Sequence, residues 1–90
     1  MGTCTKRVTI KQEYGLHARP ATQIVKLASK YNADISLKNV NTQKIADCKS
    51  LLTILLLGAC VNTTLDIIGN GVDAEKAVTE IATYIDSSEF

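Results

Sequence analysis

Tryptophan is absent from this 90-residue chain, phenylalanine occurs once, at position 90, and histidine and proline occur once each. That shortage of aromatics removes the base-stacking platform on which an RNA-binding α+β sheet relies, so a small RNA-binding module is a weak candidate. No charge of one sign dominates. Ten Lys and Arg face nine Asp and Glu, a formal net charge of +1, which falls short of the broad positive field of a nucleic-acid or anionic-membrane binder. Any anion the protein handles must be handled locally, and neither nucleic acid nor membrane insertion is expected.

Long hydrophobic runs are lacking too. The longest, LLTILLLGAC from Leu51 to Cys60, is about half of the ~20 residues a membrane span requires. The segment MGTCTKRVTI has no apolar core followed by a small-residue cleavage site, so no secretory signal is read there and a cytoplasmic protein is expected. Cys4, Cys48 and Cys60 are odd in number, show no CxxC spacing and have one histidine to join them, which disfavours a zinc set. Free buried thiols are expected, with no metal and no cofactor. Without repeats, linkers or low-complexity tracts, residues 1–90 read as a single domain.

What is present is a run of short alternating elements. CTKRVTI places Val8 and Ile10 on one face and Arg7 and Thr9 on the other, a half-buried strand. Ala21, Ile24, Val25, Ala28 and Tyr31 repeat at helical spacing, and Pro20 fits a first turn, so a helix begins within a residue or two of Arg19. DISLKNV (34–40) and QKIADCK (43–49) read as hairpin strands around a turn at Asn41 and Thr42. Ser50 reads as the N-cap of a helix over LLTILLLG, with Gly58 as its stop. TTLDIIG (63–69) alternates as a strand, and Asp73 opens a last helix with Ala77, Ile81, Tyr84 and Ile85 on one stripe. The order β-α-β-β-α-β-α implies an α+β fold, an antiparallel sheet covered on one face by helices.

The lone histidine sits in YGLHARPA, residues 14–21. A His just ahead of a helix holds its ring where first-turn N–H groups lack backbone partners and the macrodipole is positive, a geometry that suits phosphate. Arg19 adds a cationic fork and Gly15 lets the loop approach closely. Imidazole is in large part neutral near pH 7, so a ring nitrogen can attack phosphorus and later leave. From the spacing alone, an exposed loop histidine that caps a helix without chemistry is the commoner reading, since short motifs are weak signals.

YGLHARPA, followed by CKSLLTILLLG and then IGNGVDAEKAV, resembles HPr, the histidine-containing phosphocarrier family of the bacterial phosphoenolpyruvate-dependent sugar phosphotransferase system. The resemblance runs over nearly the whole chain. It implies an open-faced β-sandwich of four antiparallel strands and three helices, with His17 phosphorylated through Nδ1. Arg19 would stabilise the charge, and the backbone N–H groups of Ala18 and Arg19 would complete the phosphate cradle. Enzyme I would be the donor and Enzyme IIA the acceptor, the protein being a covalent carrier rather than an enzyme that turns over. Asn62 stands where the family usually has glycine, and Asn tolerates a left-handed backbone. Ala59, Cys60 and Val61 make this bend more apolar than is usual for the family.

By the same resemblance Ser50 falls at the regulatory site that HPr kinase/phosphorylase modifies in many bacterial lineages. As an N-cap, Ser50 alone would contribute roughly 1 kcal/mol, and phosphate would be tolerated there by the helix dipole. Seven apolar or near-apolar residues in a row cannot all face a sheet, so Leu51, Leu52 and Leu55 are the expected docking contacts, with Lys49 and Lys26 on the rim. The alternative function is a signalling paralogue that acts mainly through phosphorylated Ser50. A monomer is expected.

Overall fold

In a computed structural model, residues 2–87 are described; Phe90 lies outside them. The elements are β1 (Gly2–Thr9), α1 (Ala18–Ser29), β2 (Asp34–Asn39), β3 (Ile45–Asp47), α2 (Leu51–Leu55), β4 (Thr64–Gly71) and α3 (Ala74–Ser87), in the order the sequence patterns imply. The strands form one antiparallel sheet in the order β1-β4-β2-β3.

Register follows from alternation. Val8 opposes Leu65, Leu37 opposes both Ile67 and Ala46, and all five are buried under the helices. The opposite residues point to open solvent. There Arg7 opposes Asp66, which in turn opposes Lys38, and Arg7 donates to the Asp66 carboxylate at 2.8 and 3.1 Å. The hydrogen bond from Arg7 holds the Asp66 carboxyl below its ordinary range, but an exposed pair of this kind adds little stability.

The helices bury the stripes their spacing predicts. Ala21, Ile24 and Ala28 of α1 and Ala77, Ile81 and Ile85 of α3 are buried, with Val25, Tyr31 and Tyr84 packed at the margin. Asp73 lies just before α3 and its carbonyl accepts from Ala77 N at 3.0 Å. Gly69 allows α3 to lie close on the sheet, since a Cβ there would meet Val78 Cγ2 at 2.7 Å. Glu80 accepts from both Lys30 and Tyr31, tying the end of α1 to α3.

Three expectations need correction. The second hairpin strand is Ile45–Asp47 rather than 43–49. Gln43 belongs to the turn with φ 68°, and Asp47 starts another, accepting from Lys49 N through its carboxylate and from Ser50 N through its carbonyl, both at 2.9 Å. The second helix stops at Leu55 rather than running to Gly58, because Leu57 N bonds back to Ile54 O at 3.1 Å and Gly58 takes φ 74°. The thiols are free, yet only Cys48 is buried; Cys4 is half-buried and Cys60 is exposed. Burial pushes the Cys48 thiol up to about 12, which leaves it unreactive. Among the described residues no helix is long and apolar enough to cross a membrane, and no cluster of three or more His, Cys, Asp or Glu could hold a metal.

Candidate functional site

The loop before α1 is fixed from below. Gln12 is buried and donates to Ile85 O at 2.8 Å, and its carbonyl accepts from Gly15 N at 3.0 Å. Gly15 turns the chain with φ 62°, and Leu16 N then bonds to Ala59 O at 2.9 Å. A side chain at position 15 would place its Cβ 2.2 Å from that same Ala59 oxygen. The segment leaving α2 therefore presses against the loop that presents His17. Asn62 keeps this segment in place, with φ 71° and its N–H on Ile10 O at 2.7 Å, so asparagine does adopt the left-handed backbone expected of it.

His17 is the N-cap residue of α1, extended at φ −80°, ψ −170°, with no side-chain capping bond. Its carbonyl accepts from Ala21 N at 3.0 Å, starting the helix. Ahead of that bond, the N–H groups of Ala18 and Arg19 have no partner among the described residues, and Pro20 has none to offer. No acidic residue lies in the first turn, so the positive end of the helix is uncompensated. His17, Ala18 and Arg19 are all exposed, and Arg19 is in no ion pair among the described residues. The arrangement can receive a phosphate on an accessible ring nitrogen, with two backbone donors and one guanidinium around it.

One neighbour escaped the sequence reading. Tyr14, 75% exposed, sets its ring edge-on to the His17 ring, with centroids 6.2 Å apart and planes at 86°. Nothing in the spacing marks it, because the contact exists only once Gly15 has turned the chain.

Ser50 has the extended backbone of an N-cap, φ −123°, ψ 107°, but its side chain makes no capping bond, which corrects the capping role expected of it. Thr53 instead ties down the turn ahead of α2: its hydroxyl accepts from the Asp47 N–H at 2.9 Å and faces the Ser50 and Asp47 carbonyls at 2.9 and 3.1 Å. In α2 and the residues just after it, Ile54 and Leu57 point inward, while Leu51, Leu52, Leu55 and Leu56 are 39%, 65%, 42% and 65% exposed. Leu56 thus joins the three expected leucines, and Ile45 of β3 stands exposed as well. Lys26 is exposed on α1. Lys49 donates to Tyr31 O at 2.8 Å, beyond the C-terminal end of a twelve-residue helix that is ~18 Å long, so its ammonium is not brought to His17.

Residues 4–87 match the sequence profile described as the PTS HPr component phosphorylation site. The chain is 37% identical over 82 residues to phosphocarrier protein NPr of Shewanella violacea, which covers 91% of this chain and 88% of that one. It is 37% identical over 79 residues to the multiphosphoryl transfer protein of Haemophilus influenzae, spanning 87% of its own length but 16% of that protein. The crystal structure of phosphocarrier protein HPr from Bacillus anthracis superposes with a TM-score of 0.86 at 32% identity, covering 94% of this chain and 99% of that one.

Proposed function

The chain belongs to the PTS HPr family, and from that membership we propose that it carries a phosphoryl group on His17, taken from phospho-Enzyme I and passed to an Enzyme IIA domain in the cytoplasm. The observation that carries the reading is the exposed imidazole at the start of α1, beside the unpartnered N–H groups of Ala18 and Arg19. In the neutral ring the Nδ1 lone pair forms the N–P bond while the donor's bond to phosphorus breaks and its electron pair stays with the donor. The proton remains on the other ring nitrogen. The transferred group brings negative charge to a helix N-terminus, where dipole and N–H groups stabilise it. The N–P bond stays accessible, so an acceptor nucleophile reverses the same step.

Incubation with Enzyme I and labelled phosphoenolpyruvate tests this. One phosphate per chain, labile in acid and stable in base, is the expected result; an acid-stable phosphate, or label mapped away from residues 14–21, overturns it. Arg19→Ala should slow transfer in both directions roughly three- to tenfold, with the thermal melt unchanged because Arg19 is exposed and unpaired among the described residues. Unchanged rates would remove its electrostatic role.

Regulation at Ser50, through an ATP-dependent kinase, is part of the same proposal. An anion there would stand beside the exposed Leu51 and Leu52, and burying an unpaired charge against a partner is unfavourable. Ser50→Asp should therefore slow phosphorylation by Enzyme I at least about tenfold, or roughly 1.4 kcal/mol. Ser50→Ala should leave both rate and melting temperature near wild type, since no capping bond is lost. Rates and melts of both variants decide it, and a Ser50→Asp protein that transfers at the wild-type rate ends the regulatory reading.

A further inference from the structure

An exposed histidine side chain has three staggered wells at χ1 and a broad χ2, and a minority of those orientations brings a given ring nitrogen toward the N–H groups of Ala18 and Arg19. Among the described residues no hydrogen bond and no ion pair reaches the His17 imidazole. Its aromatic neighbour among the described residues is Tyr14, edge to face with centroids 6.2 Å apart. From this we infer that Tyr14 is a positioning residue for His17, an inference that rests on the phosphocarrier reading above.

The chemistry favours a ring over a polar partner. A carboxylate or carbonyl that accepted from the imidazole would fix its tautomer and occupy one of the two nitrogens. An aromatic neighbour restrains the plane through ring packing alone, so the lone pair stays available to phosphorus and the N–H stays on the other nitrogen. Tyr14 is also poorly placed to serve the core: it is 75% exposed, and it meets His17 because the chain folds back at Gly15, whose N–H bonds to Gln12 O at 3.0 Å.

The test compares Tyr14→Phe and Tyr14→Ala with wild type in Enzyme I-dependent phosphate uptake, thermal melts, and the ring-proton resonances of His17 in the unphosphorylated protein. Tyr14→Ala should slow phosphorylation about three- to tenfold, a loss of orientation rather than of chemistry. It should also move the His17 ring protons toward the values of an unstructured histidine, with the melt unchanged. Tyr14→Phe should restore both the rate and the resonances. Unmoved resonances or an unchanged rate in Tyr14→Ala overturn the inference, as does a Tyr14→Phe protein as slow as Tyr14→Ala, which would assign the role to the hydroxyl. The resonances need no phosphate transfer, so they still decide the contact should wild type fail to take up phosphate, a failure that would strike the phosphocarrier reading instead.

Discussion

His17→Ala should take up no label above background from Enzyme I and phosphoenolpyruvate, while its melting temperature stays within a few degrees of wild type. The loss is complete because the substitution removes the nucleophile, and no other histidine exists in the chain to replace it. The fold is spared for a separate reason. The side chain is exposed and makes no capping bond, and surface substitutions of this kind shift stability by about 0.5 kcal/mol or less. Helix α1 is started by the His17 carbonyl on Ala21 N, which alanine keeps. Uptake and melting measured on one preparation check both halves. Label that survives the substitution removes His17 as the acceptor.

Gly15→Ala, two positions earlier, should do the reverse and act first on the fold. With φ at 62°, a residue with a Cβ meets a left-handed penalty of about 1–2 kcal/mol. The added methyl would also stand 2.2 Å from Ala59 O and 2.9 Å from Cys60 Cα. These are backbone atoms, so no rotamer relieves the contact and the two segments must separate. Separation strains or breaks the Leu16 N–Ala59 O bond, a further ~1 kcal/mol. The sum, about 2–3 kcal/mol, corresponds to a melting temperature lowered by roughly 8–24 °C in a domain of this size. Below that temperature, phosphate uptake should still fall, because the loop that presents His17 has been displaced. A Gly15→Ala protein that melts with wild type would show that the two segments do not lie in contact.

The sheet and its helices were legible because alternation and helical spacing answer to burial alone: Val8, Ile10, Ile24, Ala28, Ile81 and Ile85 are all in the core where the pattern puts them. The family resemblance rested on three segments, YGLHARPA, CKSLLTILLLG and IGNGVDAEKAV, spread over nearly the whole chain. Misjudged were features settled by a single hydrogen bond or a single positive φ. Gln43 and Asp47 clip the second hairpin strand at both ends, and the Ser50 side chain makes no capping bond to the first turn of α2. A run such as LLTILLL carries no internal sign of which leucines face outward; that is set by Ile54 and Leu57 entering the core. The exposure of Cys60 and the contact of Tyr14 with His17 likewise depend on how the segment around Ala59 meets the loop at Gly15, a meeting between distant parts of the chain.

The position of β4 between β1 and β2 also sets when this molecule can come into being. The first strand has no neighbour in the sheet other than the last, as in Arg7 and Asp66, 59 residues apart. At synthesis rates of about 5–20 residues per second, that interval is roughly 3–12 s, during which Val8 and Ile10 have nothing to pack under. Pairings so remote in sequence are slow to close and close together. The Ala59 oxygen that holds Leu16 arrives on the same late segment, so a growing chain carries its histidine from early on but has no structured loop to present it until the sheet shuts.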